Sequence, residues 1–244
     1  MRLSMIVNPW SGRNLQLAAQ AGVTDIVATY PGPGCEKLLA LKEQVETAGM
    51  RLTHLERKIP HLKFVHRLPG WEQQIEDFKQ LIRNMGEAGM EVLCYNWMPD
   101  EDWQRTRADV PERGGARVTE FNLAEVESTT NVTDADGNPH EPTSEDELWA
   151  NLEHFLGEVV PVAEESGIRL ALHPDDPPLP VLRGQPRIII SNAAFERVAG
   201  MIDSPANGLC YCVGSFAPTG EDLAGGIKRL GSRINFVHLR NVKG

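Results

Sequence analysis

Residues 168–180 read IRLALHPDDPPLP, an apolar run that ends abruptly in a histidine, two acids and a group of prolines. The apolar residues 168–172 have the character of a buried strand, and His173 stands at its end. Proline lacks a backbone N–H and has a restricted φ, so the chain after His173 cannot continue as helix or sheet. The pattern predicts a strand followed by a rigid loop that holds Asp175 and Asp176 beside a charged ligand.

Strand and helix patterns alternate along the chain on both sides of this stretch. Short apolar runs bounded by Gly or Pro predict strands, and apolar residues at helical spacing predict the helices between them. The predicted strands are 3–8, 23–30, 51–56, 91–96, 168–173, 209–213 and 234–239, and the predicted helices are 13–21, 36–48, 71–88, 144–166, 192–202 and 220–230. This alternation implies a parallel sheet.

The number of strand–helix steps indicates the fold class. It predicts an α/β protein of the (β/α)8 TIM-barrel type that is incomplete, with about seven strands present, in a single TIM-barrel-like domain spanning 1–244. An open doubly wound sheet is the alternative, but the first strand-to-helix turn lacks a Gly-x-Gly-x-x-Gly phosphate loop. Residues 57–70 are predicted to be irregular. Residues 97–142, rich in charge, Gly, Pro, Asn and Thr, are predicted to be an irregular insertion or lid.

Charge and composition exclude several classes of protein. The net charge of -10 argues against nucleic acid or an anionic membrane as a partner. No apolar run approaches the roughly 20 residues of a membrane span, and no signal-peptide pattern is present. The four cysteines form no disulfide framework for a chain of this size. We therefore expect a cytoplasmic protein with reduced thiols, and a homo-oligomer is left open.

Functional side chains of a (β/α) barrel lie at the carboxyl ends of its strands. The last three predicted strands end with His173, Cys212 and His238, which are residue types that bind transition metals. Each of them taken singly is better interpreted as an ordinary buried residue, but together on successive strand ends they favour a divalent-metal site with an open position for substrate. Cys210 is interpreted as a small buried apolar residue. Glu56 ends another strand and is a weaker candidate for the same site.

A second unusual segment, 94–107, reads CYNWMPDEDWQRTR and also begins at a strand end. The planar guanidinium of Arg105 is suited to bind a carboxylate through two hydrogen bonds. Trp103 has the shape to stack on a sugar face, although an aromatic residue that anchors a surface loop explains it equally well. Asp102 is a further polar candidate in this segment.

Four stretches of the chain resemble the D-mannonate dehydratase family of xylose-isomerase-like barrels. They are YNWMP with DWQRT (95–99 and 102–106), HPDDPP (173–178), CVGS (212–215) and FVHLRNV (236–242). The resemblance implies dehydration of D-mannonate to 2-keto-3-deoxy-D-gluconate in hexuronate catabolism. It also implies a divalent metal, usually Mn²⁺ with Fe²⁺ or Co²⁺ as alternatives, and carries its ligands onto His173, Cys212 and His238.

The implied reaction takes the proton next to a carboxylate and expels the 3-hydroxyl group. Arg105, assisted by Arg240, is the candidate for holding the substrate carboxylate. A base must remove the α-proton, and an acid must protonate the leaving hydroxide. The candidates for these two roles are Asp175, Asp176, His61 and Tyr95.

The C-terminal end departs from the family pattern. Family members continue past the seventh strand with an Arg-Pro-Asp-His segment, whose Asp is a further metal ligand, whereas this sequence ends at Gly244. We therefore expect a truncated or partial chain of a longer dehydratase. Two alternatives are kept: a divalent-metal sugar isomerase or epimerase on the same barrel, and a non-catalytic remnant. HPDDPP and YNWMP favour the dehydratase over the epimerase.

Overall fold

Strands and helices alternate along the chain in the computed structural model, which describes residues 2–100, 105–126 and 141–243. The strands of these residues are β1 (Ser4–Ile6), β2 (Asp25–Ala28), β3 (Arg51–Leu55), β4 (Val92–Asn96), β5 (Arg107–Pro111), β6 (Arg117–Glu120), β7 (Arg169–His173), β8 (Val181–Leu182), β9 (Gln185–Pro186), β10 (Leu209–Cys212) and β11 (Ile234–His238). The α-helices are α1 (Gly12–Gln20), α2 (Cys35–Thr47), α3 (Leu62–His66), α4 (Trp71–Glu87), α5 (Glu145–Glu165), α6 (Asn192–Met201), α7 (Val213–Phe216) and α8 (Leu223–Leu230).

Seven of these strands form one parallel sheet in the order β1-β2-β3-β4-β7-β10-β11. Helices connect successive strands of the sheet, so the carboxyl ends of all seven strands lie at the same edge. The sheet curls, and β11 approaches β4 and β7 across its concave face. Among the described residues β1 and β11 end the sheet without pairing to each other. The predicted fold class, an incomplete TIM-type barrel, is confirmed.

The side chains of the strands alternate between the helices and the concave inside of the sheet. Leu93, Leu170 and Leu172 face the helices and join the large apolar core. The inside holds a smaller apolar cluster, formed by Val92, Cys94, Ala171 and Cys210 with Phe236 packed against it. Because both faces are buried, the strands are apolar at nearly every position rather than at alternate ones.

Residues 57–70, predicted to be irregular, contain the short helix α3. Phe64 of this helix stacks on Phe155 of α5 with ring centroids 4.5 Å apart, and it also contacts Phe78 of α4. The irregular prediction is wrong for residues 62–66 and agrees with the structure in the rest of the segment. A helix of five residues is too short to show a helical repeat in the sequence, and packing against α4 and α5 stabilises it instead.

The predicted irregular insertion 97–142 contains a β-hairpin of β5 and β6. Gly114 and Gly115, both with positive φ, form the turn between its strands. The prediction is wrong for these residues because the hairpin strands are mostly exposed and carry no apolar face that would reveal them. Residues 101–104 and 127–140 of the insertion lie outside the described residues, and so do the candidates Asp102 and Trp103.

Helices α4 and α5 run beside each other on the outside of the sheet. A Cβ atom added at Gly86 of α4 would lie 2.6 Å from the carbonyl oxygen of Ser166, the C-cap residue of α5, so the absence of a side chain allows this approach. A Cβ atom at Gly157 of α5 would meet nothing within 4 Å. In the part of the chain that the structure describes, no helix is long and apolar enough to cross a membrane.

Gly86→Ala is expected to lower the free energy of unfolding by about 1–3 kcal/mol, because the new methyl group collides with backbone that must shift. The matched Gly157→Ala variant is expected to raise it by about 0.5–1 kcal/mol, because alanine is the better helix former at an open position. Urea unfolding of both variants measures the two changes. Equal effects of the two substitutions would contradict the close approach at Gly86.

Candidate metal centre

Three strand ends meet at the carboxyl edge of the sheet. His173 ends β7, Cys212 ends β10 and His238 ends β11, and Cys212 is paired in register with His238. One ligand atom from each residue lies within 4.8 Å of those of the other two. Side chains that are distant in the sequence therefore converge as the strand ends predicted, and their donor atoms suit a first-row divalent cation.

Hydrogen bonds orient both imidazoles of this centre. His173 Nδ1 lies 2.6 Å from the carbonyl oxygen of Pro174, which can only accept, so Nδ1 carries a proton and Nε2 is free to bind a ligand. His238 Nε2 lies 3.2 Å from the Glu56 carboxylate at the end of β3. A carboxylate beside a ligating histidine is a frequent outer partner in metal sites. Glu56, a weaker candidate from the sequence, therefore does lie beside the centre. The sequence alone did not reveal that it contacts His238.

The electrostatics of the centre favour a thiolate at Cys212. Burial alone would raise the pKa of this thiol, but hydrogen bonds with His173 and His238 lower it to about 5. Ser215 Oγ adds a hydrogen bond of 3.3 Å to the sulfur. Burial alone would lower the pKa of His173, but the hydrogen bond with Cys212 raises it to about 9. A metal cation bound here would displace the protons of the imidazoles. Its positive charge would then stabilise the Cys212 thiolate in place of theirs.

Glu56 and His238 influence each other in the same way. Burial alone would raise the pKa of Glu56, but the hydrogen bond and the charge of His238 hold it below its ordinary value. Burial alone would lower the pKa of His238, which nevertheless is raised by the charge of Cys210 and by hydrogen bonds that include Cys212 and Glu56. The anionic side chains of Glu56, Cys210 and Cys212 therefore surround the two imidazoles.

Beside the centre, Asp176 forms ion pairs with two arginines. Arg105 donates from both terminal nitrogens to its two carboxylate oxygens at 3.1 and 3.0 Å, and Arg240 donates to one of them. Burial alone would raise the pKa of Asp176, but these hydrogen bonds lower it. Arg240 also donates to Ser215 Oγ at 3.3 Å, and Ser215 contacts Cys212. The three charged groups carry a net charge of one positive unit directly beside the candidate ligands.

Asp175 lies away from this cluster, although it is adjacent to Asp176 in the chain. Its side chain is fully buried, its Oδ2 accepts from the backbone N–H of Ile189 at 2.9 Å, and its own N–H donates to the carbonyl of Ile189 at 2.8 Å. Burial raises the pKa of Asp175, an effect that the charge of Arg187 opposes. These contacts hold the loop after β7 in place and do not support the predicted catalytic role of Asp175.

Tyr95 points to the helix layer, not to the centre. It immediately precedes Asn96, so the alternation of side chains along β4 directs its ring outward, where it packs against Phe78 and Phe155 with centroids 5.9 and 5.7 Å away. Its buried hydroxyl has no hydrogen-bond partner among the described residues, and burial raises its pKa. This position does not support the predicted role of Tyr95 as acid or base.

A cavity of about 1180 Å³ lies against the centre and is lined by Glu56, His61, His173, Asp176, His238 and Arg240 among others. The ring of His61 is held between two backbone carbonyls, with Nδ1 3.1 Å from Ile59 and Nε2 3.1 Å from Met98. Sequence reasoning missed Ser215, which joins Cys212 to Arg240. Ser215 lies three residues after Cys212, within the short helix α7. This spacing is visible in the sequence, but the contact with Arg240 that gives Ser215 its role is visible only in the structure.

Comparisons with known proteins point in one direction. The sequence profile of the family D-mannonate dehydratase (UxuA) matches residues 3–136 and 138–244. A mannonate dehydratase of Streptococcus pneumoniae (strain 70585) is 39% identical over an alignment of 230 residues, and the match covers 85% of this chain and 62% of that protein. The chain thus spans less than two thirds of the length of this curated relative.

Solved structures give the same picture. The crystal structure of mannonate dehydratase from Streptococcus suis serotype 2 superposes with a TM-score of 0.87 at 35% identity, covering 100% of this chain and 72% of that one. D-psicose 3-epimerase from Clostridium cellulolyticum H10 superposes with a TM-score of 0.66 at 12% identity, covering 98% of this chain and 72% of that one. The likeness to the epimerase shows a shared fold and nothing more.

Asp176→Asn is expected to lower the free energy of unfolding at neutral pH by about 1–3 kcal/mol, because two half-buried arginines lose their shared, buried carboxylate. The pKa of Asp176 is lowered in the folded protein, so this contribution is present above the ordinary value of about 3.9 and is lost as the pH falls through the folded value. Urea unfolding across this pH range measures both effects.

The control for Asp176 is Glu120→Gln, which removes the partner of Arg107 from an exposed pair in the β5–β6 hairpin. This variant is expected to change the free energy of unfolding by about 0–1 kcal/mol. Two results would contradict a stabilising role for the ion pairs of Asp176 with Arg105 and Arg240. One is an equal loss of stability in both variants at neutral pH, and the other is an effect of Asp176→Asn that stays unchanged in acid.

Proposed function

This chain belongs to the D-mannonate dehydratase family, and we propose that it removes water from D-mannonate to give 2-keto-3-deoxy-D-gluconate, a step of hexuronate catabolism. The observation that carries the proposal is the convergence of His173, Cys212 and His238 beside a cavity that also contains paired arginines. The substrate of this reaction is a small anionic sugar acid. Its carboxylate and hydroxyl oxygens suit a site that combines positive charge with an open metal position.

The donor set fits a divalent first-row cation, which we propose to be Mn²⁺, with Fe²⁺ or Co²⁺ as alternatives. Two imidazoles and one thiolate would hold the ion and leave positions for oxygen ligands of the substrate. When bound, such a cation acts as a Lewis acid that stabilises the negative charge developing on the substrate carboxylate and 2-hydroxyl. The pKa of Cys212, lowered to about 5, provides the thiolate form that a metal requires.

The arginines have a different task, which is to hold the substrate. Arg105 and Arg240 together carry two positive charges, and Asp176 neutralises only one of them. The remaining charge favours the carboxylate of a sugar acid over a neutral sugar. Thr119 Oγ1, 3.2 Å from Arg105 Nε, helps to fix the direction of this guanidinium. The β5–β6 hairpin, which carries Thr119, thereby acts as part of the proposed lid over the site.

Removal of the α-proton needs a base that faces the cavity. Of the four candidates, Asp176, His61 and Tyr95 line it, whereas Asp175 is enclosed in the loop after β7. The Tyr95 ring packs against Phe78 and Phe155 in the helix layer, away from the candidate ligands. The lowered pKa makes Asp176 a carboxylate that binds and orients cations rather than a strong base. We therefore propose His61 as the first residue to test for proton transfer, which requires one of its two contacts with backbone carbonyls to open when substrate binds. We propose Asp176 as the group that positions the arginines.

The direct test incubates the purified protein with D-mannonate and Mn²⁺ and measures the 2-keto-3-deoxy acid. Product formation that stops on chelation and returns with Mn²⁺ is expected for a metal-dependent dehydratase. Epimerisation of a ketose without dehydration of mannonate would favour the epimerase alternative. Absence of either reaction together with absence of bound metal would favour the non-catalytic alternative and end the proposal for this chain.

Cys212→Ser is expected to lower kcat/KM for D-mannonate by about 100-fold or more, because weaker metal binding removes several kcal/mol of transition-state stabilisation. Metal content per chain, measured by elemental analysis, should fall in parallel. Cys35→Ser is the matched control, because Cys35 lies on α2, contacts the carbonyl oxygen of Asn84 and is not part of the group of candidate ligands. Unchanged metal content in Cys212→Ser would contradict the assignment of this thiol as a ligand.

Arg105→Lys is expected to raise KM for D-mannonate by about 10- to 100-fold, the effect of losing a charged hydrogen bond of 1.5–3 kcal/mol. Initial rates over a range of substrate concentrations separate KM from kcat. Arg107→Lys, in the same hairpin but paired with exposed Glu120, should leave both constants unchanged. A fall in kcat alone would instead place Arg105 in the chemical step.

A further inference from the structure

A second group of potentially metal-binding side chains lies on the concave face of the sheet. Two of its members lie two residues closer to the start of their strands than the strand ends at the edge that carries the centre. Cys94 precedes Asn96 by two residues in β4, and Cys210 precedes Cys212 by two residues in β10, so both thiols face the same interior as those strand ends. One ligand atom each from Cys94, Cys210 and His238 lies within 4.8 Å of the other two. His238 thus belongs to both groups.

The two thiols meet although their strands are not neighbours. β7 lies between β4 and β10, and the residue of β7 beside Cys94 is Ala171. Its methyl group is small enough to leave the space in front of it to the two sulfurs, which are hydrogen-bonded to each other. Both cysteines are buried and pack with Val92, Ala171 and Phe236.

We propose that Cys94, Cys210 and His238 form a second, thiophilic metal site that takes a soft cation such as Cd²⁺ or Zn²⁺. Thiolates select soft metals, whereas the neighbouring centre has only one sulfur and leaves its other positions to oxygen. A tetrahedral site with metal–sulfur bonds of about 2.3 Å needs ligand atoms roughly 3.3–3.8 Å apart, so the three side chains need only small shifts. Both sulfurs bind a cation as thiolates, so binding would release any proton that the two thiols still hold.

An ion has a route to this site. Cys94 and His238 line the same cavity as the centre, and that cavity extends to Val92 and Phe236. Because a single imidazole serves both groups, a cation bound by Cys94 and Cys210 draws His238 away from His173 and Cys212. The second site therefore competes with the first for one ligand, which makes soft cations antagonists of Mn²⁺.

The test titrates the metal-free, reduced protein with Cd²⁺ under anaerobic conditions and follows the ultraviolet charge-transfer absorption of cadmium thiolates. Wild-type protein and Cys212→Ser are expected to show the same band, because the two thiolates of the second site are intact in both. Cys94→Ser should lose about half of the absorption band, and its Kd for Cd²⁺ should rise by more than about 10-fold. Loss of a residue that only supports a metal ligand already weakens binding by about 10-fold, so loss of a ligand should cost more. Cys35→Ser is the control and should match wild type.

The opposite pattern overturns the proposal: a band that survives Cys94→Ser and disappears in Cys212→Ser places Cd²⁺ in the first centre. X-ray absorption of the wild-type cadmium complex counts sulfur ligands without any substitution, so a misfolded variant does not prevent a decision. Two sulfurs support the second site and one sulfur contradicts it. Neither measurement uses dehydratase activity, so failure here and failure of the proposed function are distinguishable.

Discussion

Parallel alignment of the strands is the constraint on which the rest of this molecule depends. Because β7, β10 and β11 run in the same direction, their last residues reach the same edge, and the register of β10 with β11 sets Cys212 opposite His238. The alternation of side chains then decides which of the residues near each end faces inward. A shift of one residue in this register would exchange the metal-binding side chains for apolar ones that belong to the helix layer.

The loop after β7 also separates residues that are adjacent in the chain. Asp175 and Asp176 follow each other in the proline-rich loop, yet one is hydrogen-bonded to Ile189 inside the loop and the other accepts from two arginines beside the cavity. A buried carboxylate is tolerated only when it is paired or hydrogen-bonded, and the two acids find different partners: a backbone N–H for Asp175 and two arginines for Asp176. This division gives Asp175 a structural role, and it leaves Asp176 to position the two arginines that are proposed to bind substrate.

A chain of polar contacts connects the candidate metal ligands to the arginines of the proposed site. Ser215 touches both the Cys212 sulfur and Arg240, and Arg240 shares Asp176 with Arg105. A sugar acid that binds its carboxylate near the arginines would therefore place its next oxygens beside the imidazoles and the thiolate. The interior layer of Cys94 and Cys210 lies behind this arrangement and is richer in sulfur and poorer in charge. In the proposed arrangement, two neighbouring groups of ligands with different softness share His238, which would couple the choice of metal to function.

Local patterns in the sequence were sufficient for the alternation of strands and helices, for the fold class and for the convergence of His173, Cys212 and His238. Each of these depends on a repeat or a strand end that neighbouring residues reveal, because hydrophobic periodicity reports which side of an element is buried. The helix α3 and the β5–β6 hairpin were not predictable in this way, since the first is too short to show a repeat and the second is mostly exposed. The outward direction of Tyr95, the enclosure of Asp175, and the meeting of Cys94 with Cys210 in front of Ala171 were settled by the packed sheet. These contacts join residues far apart in the chain or facing opposite sides of a strand, and only the curvature and register of the whole sheet bring them together or keep them apart.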